Sequence, residues 1–234
     1  MNKILIATAT YNEIKNIDKL IFKISSIKKN MDILVVDDNS PDRTWSKLID
    51  LKKKYKNLHV IIRRKKRGLD TAHKKIFNFA TKNRYRFLVT MDADLSHNPK
   101  IIPIFLKNII KYDCVIGSRY IKGGKNELKG FRLILSKYGN LLIKSLLKIN
   151  LNEFTTSYRC FDLKKLKKFN FNNVNVSGYS FFMFVIYLLK KSNYSIKEIP
   201  IIFHERHQGK SKIPKIETLR TLLTLFLIKI GYFN

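Results

Sequence analysis

Acidic side chains are scarce in this sequence, 17 Asp and Glu against 47 Lys and Arg, which leaves a formal net charge of +30. That balance favours polyanionic partners such as phosphorylated substrates, nucleic acid or an anionic membrane face, although Lys, Ile and Asn abound throughout the chain. Cysteine is scarcer still. Cys114 and Cys160 are too few for a disulfide framework, and neither sits in a CxxC or Cys/His metal spacing, so a reducing, cytoplasmic setting is expected. Long apolar runs are missing too. The run from Ile4 to Ala9 is cut off by Tyr11-Asn12-Glu13 before a signal-peptide core forms. The run from Leu219 to Ile230 is interrupted by Arg220 and Lys229, short of the ~20 apolar residues that cross a bilayer. Such a chain is expected to lie on a membrane rather than span it.

Two nucleotide signatures are also missing. No GxGxxG follows the first apolar run, where Thr8-Ala9-Thr10-Tyr11 stands instead. Gly209-Lys210-Ser211 has the ending of a P-loop, but the required first glycine falls on His204. No internal repeat, low-complexity linker or nucleic-acid module appears, and the basic residues are spread along the chain, so no nucleic-acid partner is expected.

What is present is enough apolar residue, 45% of 234, to fill one core. Short apolar runs over Lys3–Thr8, Ile33–Asp37, His59–Arg63, Phe87–Met91 and Cys114–Ser118 read as buried strands. Between them, Ile14, Ile17, Leu20, Ile21, Ile24 and Ile27 form one helical face, and Ile101, Ile102, Phe105, Leu106, Ile109 and Ile110 another. This βαβα order predicts an α/β fold with a mostly parallel central sheet flanked by helices. A long helix with Phe131, Leu135, Tyr138 and Leu142 on one face follows the Gly123-Gly124 loop. The dense apolar stretch 179–189 reads as a buried helix, with a surface that meets lipid as the alternative. The expected organisation is a catalytic domain over 1–212, split into 1–118 and 119–212, and a C-terminal amphipathic tail helix over 213–234.

Strands buried on both faces are apolar throughout, so chemistry gathers where they end. Four of the five strand ends carry carboxylates in this carboxylate-poor chain. Asp92-Ala93-Asp94 brings two at once, and hard oxygen ligands suit Mg²⁺ or Mn²⁺, which neutralise a diphosphate leaving group. Asp37-Asp38-Asn39-Ser40 repeats the placement, with a carboxylate able to accept hydrogen bonds from a base or ribose. Both segments also serve as turns and helix caps, with Ser40 or Asp42 capping a helix near Thr44.

Taken in order, Thr8-Ala9-Thr10-Tyr11-Asn12-Glu13, Val36-Asp37-Asp38-Asn39-Ser40-Pro41-Asp42, Met91-Asp92-Ala93-Asp94-Leu95-Ser96-His97-Asn98-Pro99 and Gly117-Ser118-Arg119-Tyr120 resemble family 2 glycosyltransferases, most nearly the dolichol-phosphate and polyprenol-phosphate mannosyltransferases. The likeness extends through Arg132, Ser136, 155–159 and Gly178-Tyr179 to Arg206-His207-Gln208-Gly209-Lys210-Ser211-Lys212, about nine-tenths of the chain. It implies a GT-A fold, a GDP- or UDP-sugar donor, inversion at the anomeric carbon, and a polyprenyl phosphate acceptor at the inner face of the membrane, with the protein held there peripherally. It also implies residue roles. Thr10, Tyr11, Glu13, Asp37, Asp38 and Asp92 would bind the donor nucleotide; Asp92 and Asp94, with Ser96 third, would bind Mg²⁺ or Mn²⁺. Arg119, Arg132, Arg206 and Lys212 would face donor or acceptor phosphate, whose oxygens suit guanidinium forks. Asp94, Arg119 and Glu153 form the catalytic set, with Glu153 the base if the acceptor is instead a saccharide hydroxyl in surface polysaccharide assembly.

The sequence departs from that pattern in places. Ala9 replaces a proline, Asp70 and Thr156 each replace a glycine, and Phe182 and Phe184 stand where relatives carry Gln and Glu. Two polar groups lost near the sugar or acceptor are expected to change donor preference.

Overall fold

The computed structural model describes residues 3–27, 30–64, 68–205 and 216–233. The apolar runs form β1 (Ile4–Thr10), β2 (Met31–Asp37), β3 (Leu58–Ile62), β4 (Phe87–Thr90) and β5 (Cys114–Ser118). Side chains alternate along them. Leu5, Ala7, Leu34, Val36 and Leu88 enter one apolar cluster, while Ile6, Ile33, Val35, Phe87 and Val89 enter a second on the opposite face. Helices cover both faces, as the unbroken apolar strands require.

The connecting helices are α1 (Ile17–Ser25), α2 (Thr44–Lys54), α3 (Leu69–Lys82) and α4 (Ile102–Asn108). The first begins three residues after the apolar pattern suggests. Glu13 O accepts the N–H groups of Asn16 and Ile17, closing a turn that leaves Ile14 exposed. Likewise Ile101 belongs to a 3₁₀ turn, Pro99–Ile101, and Ile110 lies exposed beyond α4.

The rest of the described chain adds β6 (Lys125–Asn126), α5 (Gly130–Leu147), β7 (Arg159–Asp162), α6 (Ser180–Lys191), β8 (Ile196–Pro200), β9 (Ile202–Phe203) and α7 (Ile216–Lys229). The main sheet has the order β3-β2-β1-β4-β7-β5-β8, and β6 pairs with β9 separately. Every pairing in the main sheet is parallel except those of β7, antiparallel to both β4 and β5. The chain winds outward from β1 to β3 and then returns to β4 on the other side of β1. That reversal opens a crevice at the strand exits, where α/β sheets bind ligands.

Helix α6 is buried, as expected, and takes Phe182 and Phe184 with it. Phe182 packs its ring against His73, with centroids 4.8 Å apart, and under the Arg159 guanidinium at 5.2 Å; Phe184 meets Phe233 at 4.5 Å. Both are core residues, shielded from solvent. The apolar face of α5 is the opposite case: Phe131, Leu135, Tyr138 and Leu142 are exposed. Helix α7 divides, burying Leu225 and Ile228 while exposing Leu219, Leu222, Leu223 and Phe226. Its Glu217 accepts the Tyr179 N–H at 2.8 Å, and Asp70 accepts the neighbouring Gly178 N–H at 3.1 Å. Gly178 is required there. Its φ is +67°, and a Cβ would lie 2.0 Å from a Glu217 carboxylate oxygen.

Candidate functional site

The exits of β1, β2 and β4 meet at the crevice, and each is followed by a non-glycine residue in left-handed backbone: Asn12 at φ 59°, Asn39 at 52° and Leu95 at 65°. Such conformations persist only where surrounding contacts hold them. Asp37 supplies those contacts for the first two loops. It is fully buried, and its carboxylate accepts from the Thr10 hydroxyl at 2.7 Å, the Ser40 hydroxyl at 2.6 Å and the Ser40 N–H at 2.9 Å. Thr10 and Asp37 therefore brace the loops after β1 and β2 from inside.

Asp38 is ion-paired with Arg63 at the exit of β3. The same guanidinium donates to Gly68 O at 2.9 Å and the Thr71 hydroxyl at 2.6 Å, closing the third loop around the carboxylate. Glu13 accepts from Asn16 Nδ2 at 2.8 Å and donates its own N–H to Thr44 Oγ1 at 3.0 Å, with Tyr11 half-buried two residues earlier. Asp42 accepts the Thr44 N–H at 3.0 Å. The N-cap of α2 is instead Arg43, in left-handed backbone and without a side-chain cap, so neither Ser40 nor Asp42 occupies the position expected for them.

At the exit of β4 the two carboxylates differ. Asp94 is buried, and its Oδ1 accepts both the N–H and the hydroxyl of Ser96, at 3.1 and 2.6 Å. The Asp92 side chain remains 37% exposed, and its Oδ1 accepts the Ser157 hydroxyl at 2.6 Å. His97 completes this loop: Asp92 N–H donates to its Nδ1 at 3.0 Å, and burial keeps the ring's pKa below its ordinary value. Among the described residues no three His, Cys, Asp or Glu side chains are grouped to hold a metal by themselves. Two carboxylates and a hydroxyl fit an ion such as Mg²⁺ or Mn²⁺, which keeps waters and substrate phosphates among its ligands.

Across the crevice, Arg119 and Glu153 are buried together. Nε donates to Oε2 at 2.6 Å and Nη2 to Oε1 at 2.7 Å, while Nη2 also reaches the Thr155 hydroxyl at 2.9 Å. Oε1 further accepts the N–H groups of Thr155 and Thr156, at 3.1 and 3.2 Å. Burial by itself would raise the Glu153 pKa, but the Arg119 charge and these hydrogen bonds outweigh it and hold the carboxyl below its ordinary value. The Arg119 guanidinium also lies over the Phe203 ring, 5.0 Å from its centroid.

Arg159 anchors the same segment from the core. Its guanidinium donates to Phe154 O, Thr156 O and Phe182 O at 2.8, 2.9 and 2.7 Å, and burial lowers its pKa to about 10. Arg132 lies apart on the exposed first turn of α5. Arg206 and Lys212 lie outside the described residues. Sequence reasoning missed Arg63, His97 and Ser157. Arg63 carried a signal, as a basic residue directly at the end of a predicted strand, within one turn of sequence of the carboxylate-bearing loop that closes with Asp70. His97 and Ser157 carried none, because their roles depend on which segment lies beside β4.

The sequence profile of Glycosyl transferase family 2 matches residues 5–169. The chain is 32% identical over 212 residues to the undecaprenyl-phosphate mannosyltransferase of Micrococcus luteus, covering 90% of this chain and 87% of that one. It is 34% identical over 212 residues to the polyprenol monophosphomannose synthase of Mycolicibacterium smegmatis, covering 89% and 80%. In fold it is similar to the glucosyl-3-phosphoglycerate synthase of Mycobacterium tuberculosis, with a TM-score of 0.71 at 14% identity over 98% of this chain and 80% of that one. A mannosyltransferase from Pyrobaculum calidifontis, solved in complex with GDP-Man and Mn²⁺, gives a TM-score of 0.64 at 16% identity, over 98% and 64%. With a GT-A fold, carboxylates at its strand exits and a family match over most of its length, this chain belongs to the family 2 glycosyltransferases.

Proposed function

We propose that the protein moves a hexose from a nucleoside-diphosphate sugar to a polyprenyl phosphate with inversion at the anomeric carbon. The observation that carries this reading is the state of Glu153. A hydroxyl acceptor needs a base to take its proton, and that carboxylate already accepts from Arg119, Thr155 and Thr156 and is held below its ordinary pKa. A phosphate monoester, with a second pKa near ~6, is already largely dianionic at neutral pH and needs no base.

In this reading Tyr11, Glu13 and Asp38 line the nucleotide side, on loops braced by Thr10 and Asp37. Asp92, Asp94 and Ser96 hold Mg²⁺ or Mn²⁺, which when bound neutralises charge developing on the leaving diphosphate. Arg119, its plane fixed by Glu153, would offer its charge to the phosphates. On the family pattern, Arg132, from the exposed first turn of α5, and Arg206 and Lys212 would bring further cations to the acceptor. The acceptor phosphate oxygen attacks the anomeric carbon as the bond to the diphosphate oxygen breaks, and that oxygen keeps the electron pair.

The lipid acceptor places the protein on an anionic membrane surface. Support comes from α5 and α7. Their exposed faces carry Phe131, Leu135, Leu141, Leu223 and Phe226 together with Arg132, Lys137, Arg220 and Lys229, and their only acidic residue, Glu217, is buried. Apolar and cationic side chains on one helix face suit the boundary of an anionic bilayer. No helix among the described residues is long and apolar enough to cross a membrane.

The test is transfer of radiolabel from a panel of GDP- and UDP-sugars to polyprenyl phosphate, comparing the unaltered protein with Asp94→Asn. Lipid-phase label that requires intact Asp94 and a divalent ion supports the reading. Transfer to a saccharide hydroxyl, with none to lipid, overturns it.

A further inference from the structure

His97 takes no part in that reaction, yet it touches both the β4 exit and the segment that leads into β7. Its ring is 1% exposed. Because Nδ1 accepts the Asp92 N–H at 3.0 Å, the ring proton sits on Nε2, which faces Thr156 Oγ1 at 3.4 Å. Thr156 Oγ1 in turn accepts the Tyr158 N–H at 3.1 Å. The imidazole packs on the Tyr158 ring with centroids 4.8 Å apart and meets Phe203 edge-on at 5.4 Å. His97 also forms an antiparallel bridge with Phe203, the residue whose ring lies beneath Arg119.

The two carboxylates at the β4 exit are thus secured differently. Asp94 is tied within its own loop, by Ser96. Asp92 is tied to the neighbouring segment that leads into β7, its carboxylate to Ser157 and its main chain through His97 to Thr156. A neutral imidazole suits the second link, since it accepts at one ring nitrogen and donates at the other in a rigid plane.

We infer that His97 is a positioning residue that fixes Asp92 to segment 155–158, so that the metal-binding loop and the acceptor-side loop adopt one shared arrangement. This rests on the reading that Asp92 and Asp94 hold the divalent ion. Removing the acceptor for the half-buried Asp92 N–H loosens the carboxylate that meets the metal, whereas removing the Thr156 contact leaves that carboxylate in place but uncouples the acceptor loop.

The experiment is Mn²⁺ titration followed by electron paramagnetic resonance, with GDP and separately UDP present. An Asn side chain reproduces the Nδ1 acceptor and a Gln side chain the Nε2 donor. His97→Gln is expected to weaken Mn²⁺ binding on the order of tenfold, as the loss of one hydrogen bond to the Asp92 main chain implies, while His97→Asn stays within about threefold of the unaltered protein. Thr156→Val is expected to leave Mn²⁺ affinity unchanged and lower kcat for transfer. Mn²⁺ affinity equal to the unaltered protein in a folded His97→Gln overturns the inference. If His97→Gln does not fold, His97→Asn decides, and a tenfold loss there overturns it. Asp94→Asn tests the underlying reading separately, since Mn²⁺ binding that survives that change removes the metal site itself.

Discussion

The guanidinium of Arg119 grips Glu153 at two points, Nε to Oε2 and Nη2 to Oε1, with both side chains out of solvent. Breaking such a pair strands the remaining charge, so Glu153→Gln is expected to lower unfolding free energy by about 3 kcal/mol in urea titrations. Transfer activity falls as Arg119 loses its orientation, but the pH–rate profile keeps its shape. A Gln variant as stable as the parent that loses the acidic limb of that profile reassigns Glu153 as a general base.

Phe182, a position where the family resemblance leads one to expect a polar side chain near the sugar, lies against His73, Phe181 and Arg159 in the core. Phe182→Gln is expected to destabilise the protein by about 2 kcal/mol, because the buried amide displaces an aromatic contact without gaining a designed partner. The ratio of kcat/KM for GDP-mannose to that for UDP-glucose stays unchanged. A shift in that ratio without loss of stability means that the side chain reaches the sugar.

His73 gives the protein an acid-sensitive core. Burial, with the nearby Arg159 and Arg63 charges, lowers its pKa from 6.5 to about 3. The unfolded chain therefore binds a proton that the native state refuses. This contribution to stability is complete above pH 6.5 and declines as the pH falls toward 3, by at most about 1.4 kcal/mol per pH unit. Thermal melts between pH 7 and 5 check it, and His73→Phe is expected to flatten the slope.

The exposed faces of α5 and α7 predict a lipid-selective association. Sedimentation with phosphatidylglycerol vesicles is expected to exceed that with phosphatidylcholine vesicles and to weaken with salt. Replacing Leu223 and Phe226 by Ser removes ~1.5–3 kcal/mol of apolar transfer per side chain and lowers vesicle binding more than tenfold. Chain stability stays within about 0.5 kcal/mol, since neither residue is part of the core.

Much of the nucleotide side was legible because its signals are local. Apolar runs gave β1 to β5 within a residue or two, and a carboxylate following such a run marks a strand exit wherever it falls. Legibility ended where distant segments meet. That Glu153 finds Arg119 and Ser157 finds Asp92 follows from β7 entering the sheet antiparallel, which no periodicity announces. The apolar pattern of α5 gave the helix but not its surroundings, since the same spacing of Phe131, Leu135, Tyr138 and Leu142 serves a core or an open face.

The reversed course of β7 also bears on how new specificities arise in such a chain. Thr90 pairs with Arg159 and its hydroxyl donates to Ser157 O, so the strand leading into the aspartate pair is knitted directly to the segment facing the acceptor. Grafting a foreign acceptor half at residue 118 would therefore replace a central strand of the host sheet. A workable chimaera must import 119–162 as one cassette whose ladder with β4 matches its host.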